Sequence, residues 1–376
     1  MTELFRGPYE IKINTHKFNY IFPKKKDKLR ITDIALYSMI LSPYSKYMIR
    51  LIMNICSNYS INIKDLDVFD LGSNIGGTLY YFLEVAKSVT GIEYEPLHVD
   101  ITWHNLNLLS KKEDLDKLKL VYGDVEKIFM KQSININNAF EYKGEFKELS
   151  KKDITIKNNT LFYIGTPFID LSFGSTSVDN LILHLHNTYS PIIMIIQLPC
   201  YIKNEHHKVF YNKNLKIILK KVTSTYDIKF FVDLKRNHVC SNLHLILIKK
   251  SKKVTSNYKK TVLHIKNNNE LEKLLNELIH EFNIECIVKK FNINASWKPV
   301  YYSSYYINGY IQNGYVYLET YTRGTTKRVN IEQMKIPIPD NMLEQKIKDI
   351  PRNKKIKCEV KYDRFTNKVE DIQLLE

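Results

Sequence analysis

The chain has 376 residues, 44% of them hydrophobic and 26% charged, which is the balance of a folded protein with room for one large domain or two of ordinary size. Such a length buries a core without disulfide or metal staples and argues against a disordered chain. Fifty-six Lys+Arg against 40 Asp+Glu leave a formal net charge of +16, so a polyanion is the expected partner, nucleic acid ahead of an anionic membrane surface.

Residues 1–30 are polar and end in the basic run Lys24-Lys25-Lys26-Asp27-Lys28, which reads as a solvated arm able to follow a phosphate backbone. From residue 31 the spacing of Ile34, Ala35, Met39 and Ile40 predicts a helix, and a second follows Pro43 over 47–56. A short buried strand over 66–71 runs into Gly72-Ser-Asn-Ile-Gly-Gly77 and a helix over 78–87. Strand 88–92 ends at Glu93, Pro96 opens a helix, and strand 118–122 ends at Gly123-Asp124. Residues 131–158 are Asn/Lys-rich and aperiodic and read as an insertion loop. The pattern resumes with strand 160–164, the segment Gly165-Thr-Pro-Phe168, helix 176–188 and strand 191–197. A hairpin of 228–234 and 243–249 then closes the sheet. Strands alternating with helices predict an α/β fold with helices on both faces.

The basic, apolar-poor stretch 251–262 reads as a linker between a domain over 31–250 and a β-rich domain over 263–376. The second part opens with an amphipathic helix over 270–282, with Leu271, Leu274, Leu275 and Leu278 on one face. The period then changes to two over 305–311, 315–321, 329–336 and 356–362, with Asn308-Gly309 and Asn313-Gly314 as turn signals.

Chemistry concentrates at the strand ends. Asp70-x-Gly72-x-x-x-Gly76 follows an apolar strand and opens a helix, so backbone N–H groups face a ligand that glycine lets approach closely. Asn74 stands where a dinucleotide fingerprint has its middle glycine. Glu93 can accept from two ribose hydroxyls and Asp124 from an adenine amine, at the carboxyl ends of strands where α/β folds bind ligands. The set describes a pocket for an adenosine-bearing cofactor without a pyrophosphate; another nucleotide-binding sheet is the alternative.

With these residues in place, 31–250 resembles the class I S-adenosylmethionine-dependent methyltransferases, which implies a Rossmann-like sheet and S-adenosylmethionine as cofactor. Asp70, Gly72 and Gly76 match the first motif, Glu93 the second-strand acid, Asp124 the third, and Gly165-Thr166-Pro167-Phe168 the fourth. The resemblance places Ser73, Asn74, Tyr94 and Val125 along the same cofactor and Asp70 at the loop or the cofactor's amino-acid end. Within the family the chain is similar to trimethylguanosine synthases, through Ser42-Pro43, Glu93-Tyr-Glu95-Pro96, Thr166-Pro167-Phe168 and Leu198-Pro199. That likeness implies methylation of the exocyclic amine of a guanine at an RNA 5′ cap, with Phe168 stacked on the base. Gly165 departs from the family, which carries Asp, Asn or Ser there to accept from the target amine. Thr166 replaces Pro and Phe168 replaces Trp. The lost acceptor opens a second reading, a catalytically silent subunit that binds RNA and stimulates a capping or polyadenylation complex. A DNA adenine methyltransferase would need an Asn/Asp-Pro-Pro-aromatic segment that is not present.

The five cysteines are odd in number and form no C-x-x-C pair, so they read as reduced, mostly buried thiols. His184-x-His186 and His206-His207 lack further ligands at a suitable spacing, and no metal is expected. The N-terminus shows no apolar run, and stretches such as 192–196 are too short for a bilayer; a cytoplasmic protein without membrane partners is the expectation. Heavy use of Lys, Asn, Ile and Tyr points to an AT-rich genome such as a large DNA virus, a selfish plasmid or a protist. Finally, the tyrosines of 297–321, interleaved with Lys298, Arg323, Lys327 and Arg328, form either a stacking surface for single-stranded RNA or the filling of a small β core. The ending 357–372 resembles the last hairpin of an oligonucleotide-binding barrel.

Overall fold

The computed structural model describes residues 21–22, 28–32, 34–130, 139–149, 154–166, 171–200, 202, 205–235, 240–251, 262–266, 268–291, 304–312, 315–321, 331–337, 356–363 and 368–374. Helices α1 (Ala35–Ser38) and α2 (Ser42–Asn58) come first, with Pro43 in the opening turn of α2, where its missing N–H is no loss. β1 (Asp67–Leu71) leads into α3 (Gly77–Leu83), and β2 (Ser88–Glu93) into α4 (Pro96–Leu109) and the short α5 (Lys112–Leu115). β3 (Leu118–Tyr122) leads into α6 (Val125–Phe129), followed by β4 (Phe140–Tyr142), β5 (Phe146–Glu148) and β6 (Thr160–Ile164). A tight hairpin of β7 (Ser172–Phe173) and β8 (Thr176–Ser177) precedes α7 (Val178–Tyr189) and β9 (Ile193–Leu198). α8 (Glu205–Val209), a π-helical turn over Phe210–Asn214 and α9 (Leu215–Val222) lead to β10 (Tyr226–Lys235) and β11 (Cys240–Lys249). α10 (Asn269–Glu281) and β12 (Glu285–Phe291) follow.

Ten strands form one sheet in the order β12-β10-β11-β9-β6-β1-β2-β3-β4-β5. β3, β2, β1, β6 and β9 are mutually parallel, and β11 runs antiparallel between β9 and β10. This reversal inside the sheet separates the fold from the all-parallel dinucleotide sheet of order 3-2-1-4-5-6. The architecture is a Rossmann-like α/β sheet with helices on both faces. β1 is buried along its whole length, as a strand covered on both faces must be. Val68 packs on one side with Met48, Leu79, Tyr80 and Leu106 from α2, α3 and α4; Phe69 and Leu71 pack on the other with Leu181, Leu219 and Leu275 from α7, α9 and α10.

Four features differ from the sequence reading. Residues 140–148, expected inside an insertion loop, form β4 and β5 and extend the sheet beyond β3. Residues 269–291, expected in the second domain, belong to the large sheet: β12 pairs in parallel with β10, and Leu271, Leu274, Leu275 and Leu278 enter its core. The stripe on α10 is buried by the sheet face that β10 and β11 expose, so the sheets divide after residue 291 rather than at 251–262. The end of the N-terminal arm is not solvated either, since Ile21 and Phe22 pack against Ile75, Leu97 and Ile101. The basic run 24–27 lies outside the described residues.

β13 (Ser304–Gln312), β14 (Tyr315–Tyr321), β15 (Ile331–Pro337), β16 (Ile356–Asp363) and β17 (Lys368–Leu374) form a second, antiparallel sheet in the order β15-β14-β13-β16-β17. Its fourth strand returns to lie beside its first, a Greek key. Period two holds: Ile311, Cys358, Val360 and Ile372 are buried on one face. All five cysteines are free thiols, and all but Cys200 are buried. Among the described residues no helix is long and apolar enough to cross a membrane.

Candidate active site

The site residues meet where β1, β2, β3 and β6 end. Gly72 has φ +81° and its N–H donates to the Ile92 carbonyl at 2.9 Å, tying the turn to the neighbouring strand. Asn74 (φ +53°) and Gly76 (φ +84°) are also left-handed, so the loop folds back on itself before α3. A Cβ on Gly76 would lie 2.8 Å from Cγ2 of Thr102, whose hydroxyl donates to the Asn74 carbonyl at 2.8 Å. Asn tolerates this conformation because its side chain bonds locally, here accepting from the Ile75 N–H at 2.8 Å. Ser73 is buried beneath the loop.

Glu93 closes the loop from below. Its carboxylate accepts from the Asn74 N–H at 2.8 Å and from the N–H groups of Tyr94 and Glu95 at 3.0 Å each. Three of the about four acceptor positions of a carboxylate are therefore spent on the backbone. Glu93 stands where a ribose would be held, but its first task is to shape the loop. Tyr94 beside it is exposed.

Asp70 is fully buried and accepts from the Thr78 hydroxyl at 2.5 Å, while its other oxygen, Oδ1, has no hydrogen-bond partner. Burial pushes its pKa up to about 7; the Thr78 bond opposes the rise and the nearby charge of Glu93 adds to it. A carboxyl poised near neutrality beside a glycine turn is a common signature of functional sites. Behind it, Tyr163 of β6 is in register with Asp70 and lies 3.5 Å from both Gln197 Oε1 and His244 Nε2. Burial holds Tyr163 well above its usual range and drives His244 down to about 3, so that imidazole is neutral.

Asp124 caps α6 by accepting from the Glu126 N–H at 2.9 Å, and Val125 is buried behind it. Glu126 in turn accepts from Ser175, from the N–H at 2.7 Å and the hydroxyl at 2.5 Å. The β7–β8 hairpin is thereby drawn over the ends of β1 and β3: a Cβ on Gly174 would run into the Glu126 carboxylate, and Phe173 Cε1 lies 3.6 Å from the place a Cβ would take on Gly72. Sequence reasoning missed Thr78, Glu126 and this hairpin. Two-residue strands carry no periodicity, and only the turn residues Gly174-Ser175 hint at one.

The fourth motif is different in kind. Gly165 donates its N–H to the Leu71 carbonyl at 2.9 Å, and a Cβ there would lie 3.0 Å from the Gly72 carbonyl oxygen. Conversely, a Cβ on Gly72 would lie 2.8 Å from the Gly165 oxygen. The missing side chain at 165 is thus a packing requirement between two strand ends. Thr166 is buried and donates its hydroxyl to the Gln197 carbonyl at 2.6 Å, pinning the segment to β9. Pro167 and Phe168 lie outside the described residues.

No known protein family matches the sequence, and no curated protein does. Among solved structures, the chain is similar to a protein described as a methyltransferase from Porphyromonas gingivalis W83, at 13% identity and a TM-score of 0.39, over 62% of this chain and 47% of that one. A precorrin-6y C5,15-methyltransferase from Geobacter metallireducens GS-15 has 9% identity and a TM-score of 0.32 over 54% and 88% of the two chains. A dimethyladenosine transferase from Plasmodium falciparum has 14% identity and a TM-score of 0.32 over 54% and 62%. The chain spans about half the length of the first of these.

Proposed function

We propose that this protein is an S-adenosylmethionine-dependent RNA methyltransferase whose target is the exocyclic amine of a guanine at an RNA 5′ cap. The observation that carries the reading is the left-handed loop Gly72–Gly76, pinned by Glu93 and backed by the buried, half-partnered Asp70 at the ends of adjacent parallel strands. These residues fit an adenosine cofactor without a pyrophosphate. Gly72 and Gly76 leave the backbone open to it, Glu93 and Asp124 stand as acceptors for its ribose and adenine, and Asp70 offers a free buried oxygen. S-adenosylmethionine, when bound, supplies an activated methyl group. The chain's own share is then to position a nucleophilic nitrogen and to exclude water. The net charge of +16 supports a polyanionic substrate.

Nucleoside mass spectrometry after incubating the pure protein and S-adenosylmethionine with capped and uncapped RNA tests this. A methyl mass gain on the cap guanine alone is expected. Cofactor binding without a gain on any RNA overturns the cap-amine reading.

A second reading, a catalytically silent subunit of an RNA-processing complex, draws on a specific observation. The β7–β8 hairpin, held to Glu126 by Ser175, brings Phe173 over Gly72, and Gly165 offers no acceptor for an amine. Glu93→Ala separates the two: it abolishes methyl transfer under the first and leaves RNA binding intact under the second.

A further inference from the structure

Two thiols that are distant in the chain meet at one corner of the large sheet. β9 ends at Leu198, opposite Leu243 of β11, and Cys200 follows it, packed against the core that holds both leucines. Regular alternation would put Cys240 and Leu243 on opposite faces. The β10–β11 ladder, however, slips by one residue between the pairs Asp233–Asn242 and Leu234–Cys240. This bulge turns Cys240 onto the face of Leu243, into the same core. There its thiol shares a hydrogen bond with the thiol of Cys200. The backbone at Cys200 is fixed from two sides. The Tyr211 hydroxyl donates to the Pro199 carbonyl at 2.5 Å, and the Asn268 amide donates to the Cys200 carbonyl at 3.3 Å. Asn268 is itself held as the cap of α10, accepting from the Leu271 N–H at 3.2 Å. Of the five cysteines only Cys200 is not buried.

We propose that Cys200 and Cys240 form a redox site that a peroxide oxidises to a disulfide. An accessible thiol against a buried one is the arrangement in which the first reacts and the second resolves. The Cys200 thiolate attacks one oxygen of the peroxide, the O–O bond breaks, and the sulfur is oxidised to a sulfenic acid. The hydroxide that leaves takes up the proton Cys200 released. The Cys240 sulfur then attacks the sulfenic sulfur, the S–O bond breaks, and the Cys240 proton departs with the hydroxyl as water. Two thiols and one hydrogen peroxide thus give one disulfide and two waters. The contact with Cys200, together with burial, holds the Cys240 thiol well above its usual pKa, which suits it to resolving rather than initiating. The bond encloses residues 201–239, with α8, α9 and β10 among them, and ties β11 to the turn after β9. The carbonyl of Gln197, near the end of β9, accepts from Thr166, so the brace falls on the strand end that pins the fourth motif. This site stands apart from the proposed function, since it needs neither the cofactor nor RNA.

The test treats the full chain with hydrogen peroxide, unfolds it in urea with an alkylating reagent, and maps the peptides by mass spectrometry without reduction. The expected product has lost two hydrogens, carries a linked Cys200–Cys240 peptide, and regains the starting mass with dithiothreitol. Alkylated thiols fall from five to three, leaving Cys56, Cys286 and Cys358. Burial pushes Cys56 and Cys286 up to about 12 each, which keeps them reduced. The urea midpoint of the linked protein rises, because a closed loop restricts the unfolded chain. Cys200→Ser, at a half-buried position, melts like the parent without peroxide and shows neither link nor rise. Cys240→Ala removes the resolving thiol, and Cys200 proceeds to the sulfinic acid that dithiothreitol does not reverse. Sulfinic acid at Cys200 in the parent, with Cys240 still alkylated, overturns the inference. So does a link between Cys240 and Cys286, or five alkylated thiols under peroxide that oxidises free cysteine in the same tube. An unmoved midpoint in the linked protein overturns the brace.

Discussion

The end of β1 holds Gly72 at φ +81° amid three carboxylates, Asp70, Glu93 and Asp124, while the end of β6, one strand away, holds Gly165 in ordinary backbone against a carbonyl. The first region spends its hydrogen bonds on keeping a loop open; the second spends them on closing a gap, through the Gly165 N–H to Leu71 and the Thr166 hydroxyl to Gln197. Glycine therefore means two things here. At 72 it supplies a conformation and at 165 it supplies space.

Glu93→Gln is the largest perturbation to the open side. An amide has one acceptor oxygen in place of two and adds donors that face the backbone N–H groups of Asn74, Tyr94 and Glu95. Hydrogen bonds to a charged group are worth roughly 1.5–3 kcal/mol each, so cofactor affinity by calorimetry falls at least about tenfold. Unchanged affinity would make the carboxylate irrelevant to the loop.

The contrast between the two glycines comes next. Gly72→Ala places a Cβ 2.8 Å from backbone at a positive φ. The left-handed conformation and the overlap together cost about 3 kcal/mol in urea unfolding. Gly165→Ala meets the Gly72 oxygen at 3.0 Å without a backbone penalty and costs about 1 kcal/mol. Equal losses would abolish the distinction.

Asp70→Asn acts on the pH dependence. The carboxyl is raised from 3.8 to about 7 in the fold, so the folded state holds its proton more tightly than the unfolded chain. That stabilisation is full below about pH 4 and is lost as pH rises towards 7. His98 and His244, lowered to about 4 and about 3, oppose it below pH 6.5. Asp233, raised to about 8, reinforces it up to that pH. Between pH 6 and 7.5 the variant therefore loses about 1 kcal/mol less stability than the parent, measured by urea midpoints in matched buffers.

Ser175→Ala is the smallest change. It removes a hydroxyl bond to Glu126 while leaving the N–H bond, costs about 1 kcal/mol or less, and loosens the hairpin over Gly72. Cofactor affinity rises about twofold if Phe173 obstructs the pocket; a fall would show that the hairpin helps to hold the ligand.

Much of this is legible in the sequence. An apolar strand ending in Asp70, a glycine turn and a helix state the β1–loop–α3 unit locally, because each signal falls within a few residues. β4 and β5 were not legible: Phe-Glu-Tyr and Phe-Lys-Glu are too short to show a period, and pairing with β3 is what makes them strands. The place of α10 was half legible. Its leucine stripe announces a buried face, but the charged stretch before it says nothing of which sheet will cover that face. The reason for Gly165 was not legible at all, since its neighbour Gly72 is far away in the chain.

That neighbourhood couples two positions that lie far apart in the chain. A Cβ on Gly72 meets the Gly165 oxygen at 2.8 Å and a Cβ on Gly165 meets the Gly72 oxygen at 3.0 Å, so each sets the room left to the other. Alanine at 165 is a small strain, whereas an Asp or Asn that could accept from an amine has room only where the β1 turn also shifts, so paired substitutions at 72 and 165 are expected to be non-additive.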